Sequence, residues 1–295
     1  MRLERNCRPI YYMKSRRHRP IKIGILTAPM PKPFLGRAES YLDRDYVAWV
    51  ELSGANAVII PYNTPNLDDF LNRVHGVVLP GGAVENTVTH DPKQYATLVG
   101  AVKRIYRFAL TCRYFPVWGT CLGFDMLAMM EEHLRSNLFK HVQHERAFRN
   151  DPLAFTGKSR IRAEFSPAMQ ARMAREPVAW HMHNFGFDMT SPHLKRMLKY
   201  LRVVSTDTSD SGSEFMNMFE YKRYPFYGSQ WHPEKPKGEL AEAVSAALSH
   251  FLRKECAKNK RRVPLWGKTF RSVKFKNPET VLLKGGEKLI QTQFS

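Results

Sequence analysis

Length, composition and charge exclude several classes of protein. The 295 residues are 43% hydrophobic and 25% charged, which is enough apolar material for a folded domain with a sizeable core. No run approaches the roughly 18 apolar residues that a membrane-spanning helix needs, so we expect no membrane protein.

The predicted elements alternate along the chain. They are a strand at 21–26, a helix at 41–52, strands at 57–60 and 74–79, a helix at 94–110, a strand at 115–118, a helix from 122 to about 133, a strand at 226–229 and a helix at 240–256. Residues 137–180 show a broken apolar pattern and are predicted only as mixed structure. The alternation predicts an α/β fold, with a mostly parallel sheet and helices on both faces. In such folds functional residues collect at the carboxyl ends of the strands.

The formal net charge of +19 is concentrated at the two ends of the chain. Residues 1–20 carry +6 and residues 253–295 carry +9, which leaves +4 for the middle. We therefore predict a basic N-terminal extension (1–20), a central domain (21–256) and a basic C-terminal extension (257–295). Clustered lysine and arginine attract polyanions, so the two ends are candidates for binding nucleic acid or another polyanion.

Cysteine usage bears on the compartment. The four cysteines are widely spaced and form no CxxC or other metal-ligand pattern, so we predict no metal site and a reducing environment: Cys7, Cys112, Cys121 and Cys256. The first twenty residues do not resemble a secretory signal. We expect an intracellular protein, cytoplasmic or nuclear; if a signal peptide precedes this sequence, the alternative is a lysosomal or secreted one.

The segment GTCLG (119–123) carries the main catalytic signal. It lies between a predicted strand and a predicted helix, and it matches the G-x-nucleophile-x-G elbow with cysteine in the place of serine. The small flanking residues permit the sharp turn that exposes the thiol. A buried structural cysteine is the ordinary alternative for a lone Cys, but glycines on both sides after a strand favour the nucleophile.

Two further motifs lie at predicted strand ends. His232 and Glu234, in QWHPE (230–234), could supply an imidazole for the thiol and a carboxylate that orients the imidazole, although an HPE tripeptide alone is more often a surface turn. Gly81 and Gly82 let backbone amides approach a substrate carbonyl, which an acyl-transfer site needs as an oxyanion hole, although a Gly-Gly pair alone is more often a plain loop.

Three strings together carry a family resemblance. FPVWGTCLGFDML (115–127), LPGGAV (79–84) and YPFYGSQWHPEK (224–235) resemble the γ-glutamyl hydrolases, a branch of the class I glutamine-amidotransferase superfamily. The resemblance extends over about residues 21–251. It implies a flavodoxin-like single domain that cleaves γ-glutamyl amides, such as folate poly-γ-glutamates, through a thioester and without a cofactor.

The resemblance implies roles for particular residues. Cys121 would be the nucleophile, His232 the base and later the acid, and Glu234 the group that orients His232. The amides of Gly82 and Leu122 would form the oxyanion hole.

Three more residues come from the same resemblance. His183, in HNFG (183–186), matches an active-site histidine of the branch, with His181 as a nearby competitor. Gly81 and Asp125 would contact the substrate, a small γ-glutamyl molecule.

Alternative functions remain open at this point. A glutaminase that feeds ammonia to a synthetase ranks second, because the 39 residues after Cys256 are too few for a synthase domain. A third hypothesis is that a hydrolase fold has been recruited as a nucleic-acid-binding or assembly protein through its basic ends. The protein could also form a homodimer.

Overall fold

A mostly parallel sheet of eight strands forms the centre of the protein in the computed structural model. The structure describes residues 20–30, 40–82, 92–132 and 148–261, and the backbone of 276–282 and 288–293. Its strands are β1 Lys22–Leu26, β2 Ala28–Pro29, β3 Ser40–Tyr41, β4 Asn56–Ile60, β5 Gly76–Leu79, β6 Val117–Thr120, β7 Arg149–Asp151, β8 Ala179–His181, β9 Phe187–Asp188, β10 Leu201–Thr208, β11 Glu214–Tyr221, β12 Phe226–Ser229, β13 Lys276–Leu282 and β14 Lys288–Gln293.

The strand order of the central sheet is β10-β11-β12-β6-β5-β1-β4, with β9 paired to β11. The run from β12 to β4 is parallel, whereas β9, β10 and β11 pair antiparallel. The predicted α/β class is therefore confirmed. The neighbours β5, β6 and β12 are parallel, so their carboxyl ends meet at one edge of the sheet.

Helices cover both faces of the sheet. They are α1 Arg44–Leu52, α2 Leu67–Leu71, α3 Pro92–Thr111, α4 Leu122–Ala128, α5 Pro167–Met173, α6 Pro192–Met197 and α7 Glu239–Ala257. One buried cluster contains the apolar faces of α3 and α4, and a second contains those of α1 and α7. None of the helices in the described ranges has the length and apolar character needed to span a bilayer.

The apolar runs of the central strands are explained by these two layers. In β5, Val77 and Leu79 pack in the cluster of α3, and Val78 packs in the cluster of α1. Successive side chains of a strand point to opposite faces, so a strand covered on both faces needs apolar residues at every position.

Helix α4 is shorter than the sequence predicts. It ends at Ala128 and is followed by a 3-10 turn, Met130–Glu132. Tyr221 donates a hydrogen bond from its hydroxyl to the carbonyl of Leu127 at 2.9 Å, and Tyr200 donates to that of Ala128 at 3.2 Å. These side chains satisfy carbonyls at the helix end, where the helix itself provides no partner. His133, the predicted end, lies outside the described residues.

The segment predicted as mixed structure is mixed where the structure describes it. Residues 148–180 contain β7, a 3-10 turn Arg162–Glu164, α5 and the start of β8. Strands β7 and β8 pair antiparallel, with Arg149 opposite His181. Residues 137–147 lie outside the described residues.

The last helix ends one residue beyond the predicted domain boundary, and the chain after it still contacts the core. Asn259 donates to the carbonyl of His75 at 2.9 Å, and Arg261 donates to the carbonyls of Leu71 and Val74 at 2.9 and 3.1 Å. Packed structure thus continues to residue 261. The N-terminal extension before residue 20 lies outside the described residues, and both boundaries stay predictions.

Candidate active site

Cys121 occupies a strained turn between β6 and α4. Its φ is 50° and its ψ is −111°, and it is the one non-glycine residue with a positive φ in the described part of the chain. The turn requires both flanking glycines. A Cβ at Gly119 would lie 2.4 Å from the carbonyl oxygen of Gly123, and one at Gly123 would lie 2.1 Å from that of Leu79. Strain of this kind typically costs about 1–3 kcal/mol, and it is found where function requires the geometry.

The second half of the site follows β12. Beyond Ser229 the chain turns, and the backbone N–H of His232 donates to the carbonyl of Trp180 on β8 at 2.8 Å. His232 Nδ1 lies 2.6 Å from Glu234 Oε1. Both side chains are buried. The carboxylate therefore fixes the orientation and the tautomer of the imidazole. Nδ1 carries a proton and donates it in a hydrogen bond to Glu234.

The electrostatics of this site favour a protonated base. Burial opposes the charge on His232, but the Glu234 carboxylate and then the nearby Cys121 raise the pKa of His232 to about 10. A protonated imidazole close to the sulfur can later give its proton to a leaving group. Cys121, His232 and Glu234 are thus together in an arrangement suited to nucleophilic catalysis.

The two glycines after β5 lie against this group. A Cβ at Gly81 would come within 2.9 Å of His232 Cε1 and 3.2 Å of Cys121 Cβ, so only glycine leaves room there. A Cβ at Gly82 would lie 3.0 Å from Leu122 Cδ2. The glycine pair and Leu122 are therefore neighbours at one end of the sheet. The roles of Gly82 and Leu122 as oxyanion donors, and that of Gly81 in binding substrate, stay predictions.

Asp125 lies in α4 and is only 4% exposed. Burial holds the pKa of Asp125 well above its usual range, and the side chain of Gln230 partly offsets this. The carboxyl thus lies near Gln230, in the segment that carries His232. Its predicted contact with substrate stays a prediction.

The segment that carries His181 and His183 approaches the thiol through its backbone. The carbonyl of Met182, which separates them, is 4.0 Å from Cys121 Sγ. The two imidazoles also contact each other, since His181 Nδ1 is 2.8 Å from His183 Nε2. The backbone between the two histidines thus reaches the thiol, and the catalytic role of His183 stays a prediction.

Sequence reasoning missed Tyr46. Its hydroxyl accepts a hydrogen bond from the N–H of Gly81 at 2.8 Å and faces the Glu234 carboxylate. Burial, and then Glu234, hold the pKa of Tyr46 well above its usual value, so the phenol stays neutral. The sequence shows Tyr46 only as one apolar position on a helix face, which gives no sign of this hydrogen bond.

Lys235 connects the histidine segment to the helix that carries Tyr46. Its Nζ lies 2.6 Å from Asp43 Oδ2 and 2.8 Å from Asp45 Oδ2. These carboxylates raise the pKa of Lys235 against the effect of burial. The ion pairs fix the N-terminus of α1 next to His232 and Glu234.

Comparison with known proteins shows which sequences this chain is similar to. The family model described as Peptidase C26 matches residues 22–234. Gamma-glutamyl hydrolase B of Dictyostelium discoideum is 30% identical over 224 residues, which cover 72% of this chain and 62% of that protein. Human gamma-glutamyl hydrolase is 29% identical over 237 residues, covering 75% and 71%. The chain thus spans less than two thirds of the Dictyostelium relative.

Solved structures show the same fold at lower identity. A GMP synthase protein from Thermoplasma acidophilum is similar with a TM-score of 0.52, 17% identity and coverage of 82% of this chain and 96% of that one. The glutaminase domain of CTP synthase from Trypanosoma brucei gives a TM-score of 0.50, 13% identity and coverage of 83% and 96%. At such identities the likeness concerns the fold alone.

Proposed function

Because the chain belongs to the Peptidase C26 family, we propose that it hydrolyses γ-glutamyl amide bonds with Cys121 as the nucleophile. The observation that carries the proposal is the 2.6 Å pair of His232 and Glu234 close to a thiol on a strained elbow. A structural cysteine needs neither the strain nor the charged neighbours. The proposal is further supported by relatives that bear the name gamma-glutamyl hydrolase.

The first half of the reaction forms a thioester. The sulfur of Cys121 attacks the γ-carbonyl carbon, and negative charge develops on the carbonyl oxygen. We assign the amides of Gly82 and Leu122 as the donors that bind this oxygen. His232 gives its proton to the leaving nitrogen as the C–N bond breaks, and the γ-glutamyl group stays on the sulfur.

The second half returns the enzyme to its starting state. Water gives a proton to the neutral His232, and its oxygen attacks the thioester carbon. The C–S bond breaks, which releases the γ-carboxyl group and restores the thiolate beside the imidazolium. Glu234 accepts a hydrogen bond from His232 Nδ1 throughout and stabilises the charged ring in both halves.

Folate poly-γ-glutamates are the substrates that we propose within this class, and no metal or cofactor enters the reaction. The test is an assay of the purified protein on a pteroyl poly-γ-glutamate and, in parallel, on free glutamine, with Cys121→Ala as the inactive control. Release of glutamate from the first substrate is the expected result. Ammonia release from glutamine alone would instead indicate a glutaminase, and activity retained in Cys121→Ala would overturn the mechanism.

A second candidate function is binding of a nucleic acid or another polyanion through the basic ends. The observation that favours it is the location of the charge, +6 in residues 1–20 and +9 in residues 253–295. Some of the C-terminal cations already have partners in the fold: Lys254 lies 2.8 Å from Glu164, and Lys258 pairs with Glu255. The proposed contact would therefore depend most on residues 1–19 and 262–295.

A further inference from the structure

Two aromatic rings and a lysine form a surface patch beside the segment that carries His232. The indole of Trp180 on β8 is half-buried, and the ring of Phe148 lies next to it with centroids 6.5 Å apart. The Nζ of Lys237 lies 4.8 Å from the centroid of the same indole. We call the side chains of Phe148, Trp180 and Lys237 the aromatic patch.

The exposure of Phe148 is unusual for this protein. The ring is 52% exposed, and Leu52 is the one other large apolar side chain with such exposure in the part of the chain that the structure describes. A single exposed apolar side chain is ordinary on a protein surface. Here, however, the exposed ring adjoins a second ring that has a cation above it. Aromatic faces next to a positive charge suit a ligand that carries both a ring and an anionic group.

Backbone contacts fix the patch next to the catalytic groups. The carbonyl of Trp180 accepts a hydrogen bond from the N–H of His232 at 2.8 Å. Two residues further along the chain, the carbonyl of Met182 lies 4.0 Å from Cys121 Sγ. An extended chain rises about 3.3 Å per residue, so the backbone of Trp180 lies about 7 Å along the chain from the carbonyl that approaches the thiol. A substrate held at Cys121 can therefore extend to the patch.

The backbone of Lys237 is held in place, whereas its side chain is exposed. Asn150 pairs with Trp180 across β7 and β8, and its Nδ2 donates to the carbonyl of Lys237 at 3.3 Å. Among the described residues, the Lys237 ammonium contacts the indole and no carboxylate. An exposed contact of this kind is worth only about 0.5–1 kcal/mol. A ring can therefore replace the ammonium over the indole at little cost, which frees the ammonium to pair with an anion.

We propose that Trp180, Phe148 and Lys237 bind the aromatic end of the γ-glutamyl substrate. The ring of a p-aminobenzoyl group stacks on the indole in the place of the Lys237 ammonium, and Phe148 covers the edge of that ring. Lys237 then pairs with the α-carboxylate of the first glutamate, which is joined to the ring by an amide. The inference rests on the proposed function, because folate poly-γ-glutamates carry this ring.

The patch acts on specificity and not on bond cleavage. It contacts a part of the substrate that stays intact in the reaction, so the contact is the same before and during bond breaking. Loss of such a contact raises KM and leaves kcat little changed. The patch thus favours γ-glutamyl chains that end in an aromatic group over chains of glutamate alone.

Binding of p-aminobenzoylglutamate to the full chain tests the site without any turnover. This molecule has the ring and the first glutamate but no γ-linked bond, so the enzyme cannot hydrolyse it. By isothermal titration calorimetry we expect binding that Trp180→Leu weakens about tenfold and that Trp180→Phe largely keeps, because a ring is retained. No binding to the unmodified chain would overturn the inference, whether or not the protein hydrolyses γ-glutamyl bonds.

Phe148 and Leu52 provide a matched pair of variants on the surface. Phe148→Ala should weaken binding of p-aminobenzoylglutamate about threefold or more, because the edge of the ring loses its apolar cover. Leu52→Ala removes an equally exposed apolar side chain and should leave binding unchanged. If Trp180→Leu does not fold, this pair decides. Equal binding by Phe148→Ala and Leu52→Ala would then overturn the proposal.

Lys237→Gln tests the pairing with the carboxylate. We expect binding of p-aminobenzoylglutamate to be about threefold weaker at low salt and to depend less on salt, because one screened charge pair is lost. Lys260→Gln is the matched control, since it removes the same charge from an exposed lysine whose Nζ lies 3.2 Å from the carbonyl of Ala257. The same salt dependence in both variants would overturn the role of Lys237.

A single-stranded nucleic acid is another ligand that stacks on aromatic rings next to lysines. Titration of a ten-residue oligothymidylate into the same full chain distinguishes the two ligands. We expect it to bind no less tightly to Trp180→Leu than to the unmodified chain. Tighter binding than that of p-aminobenzoylglutamate, lost in Trp180→Leu, would assign the patch to nucleic acid and overturn the proposal.

Kinetics on two substrates separate a specificity role from a structural one. In Trp180→Leu we expect KM for a pteroyl γ-glutamate to rise about tenfold, while KM for a γ-linked triglutamate without the ring stays the same. The hydrogen bond to His232 comes from the backbone of Trp180, so it does not require the indole. An equal loss of activity on both substrates would show that the variant disturbs His232, and it would overturn the proposed role of the patch.

Discussion

The hydroxyl of Tyr46 accepts a hydrogen bond from the backbone N–H of Gly81 at 2.8 Å. This contact joins α1 to the loop after β5, and it orients the peptide that leads into Gly82. An amide that donates to a phenol is occupied, so an oxyanion must be bound by other donors. Tyr46 therefore helps decide which backbone amide faces the substrate.

We expect Tyr46→Phe to lower kcat about fivefold with little change in KM. Loss of one such hydrogen bond is worth about 1 kcal/mol, and it frees the Gly81 peptide to rotate. Steady-state kinetics on a γ-glutamyl peptide measure the effect. Tyr114→Phe is the matched control, because it removes a phenol that precedes β6 and donates to Glu255 on α7. If both variants lost the same activity, Tyr46 would have no special role.

Substitutions at Cys121 should separate activity from stability. We expect Cys121→Ala and Cys121→Gly both to be inactive, because each lacks the nucleophile. The glycine variant should nevertheless be more stable by about 1 kcal/mol, since a φ of 50° strains alanine but not glycine. This reverses the usual order, in which glycine is destabilising. Urea unfolding of the two variants gives the comparison, and a less stable glycine variant would show that the turn carries no strain.

A thiol reagent should label Cys121 before Cys7, Cys112 or Cys256 near pH 7. Burial raises the pKa of both Cys112 and Cys256, whereas Cys121 lies at the N-terminus of α4 and close to the His232 imidazole. Peptide mapping after brief treatment with iodoacetamide identifies the labelled residue.

The histidine beside the thiol provides the control for this labelling. His232→Ala should slow labelling of Cys121, and His250→Ala should not. His250 is an exposed side chain on α7, and its imidazole lies within hydrogen-bond distance of the carbonyl of Ala246 in the same helix. Faster labelling of another cysteine would remove the support for an activated thiol.

Asp125 should make the protein less stable as pH rises. Its folded pKa is held above the unfolded value of 3.8, so the folded state binds the proton more tightly and loses stability as pH rises from about 4 towards the folded pKa. Asp125→Asn removes this cost. We expect the variant to be more stable than the unmodified chain at pH 7, with the difference shrinking towards pH 4. Urea unfolding at both pH values measures this, and Asp68→Asn, at an exposed carboxylate, should show no such gain.

The basic N-terminal residues should control binding to a polyanion. We expect the full chain with Lys14, Arg16, Arg17 and Arg19 replaced by glutamine to elute from heparin at clearly lower salt, because fewer counterions are released. In the control variant four exposed basic residues of the folded domain are replaced by glutamine, which changes the net charge by the same amount: Arg107, Arg175, Lys195 and Lys199. Activity on a short γ-glutamyl peptide should be unchanged in both. Equal elution of the two variants would argue against a role for the N-terminal cluster.

The sequence predicted the fold class and the family because strong local signals carried them. Apolar runs ending at PGG, GTC and QWHPE mark the ends of β5, β6 and β12, and the structure brings those ends together. Cys121, His232 and Glu234 follow directly, since each lies next to a strand end. The resemblance to γ-glutamyl hydrolases is confirmed by the family match and by the named relatives.

The features that the sequence did not predict depend on contacts between distant segments, which local patterns do not encode. The bond from Tyr46 to Gly81 spans 35 residues, and the contact between His181 and Asp207 joins two strands of different sheets. The early end of α4 has the same origin, because tyrosines from other elements satisfy its last carbonyls. Helix propensity around residue 128 gives no sign of those hydroxyls.

The order of strands in the sheet also has a consequence for refolding. The strands β5, β6 and β12 are neighbours in space, yet β12 follows β6 by more than a hundred residues. Forming the site therefore requires the pairing of two strands that are far apart in the sequence. Contacts of such long range form slowly, because the entropy of loop closure opposes them until the sheet is complete. After dilution from denaturant, catalytic competence should therefore return later than helical circular dichroism, and it would report on completion of the fold.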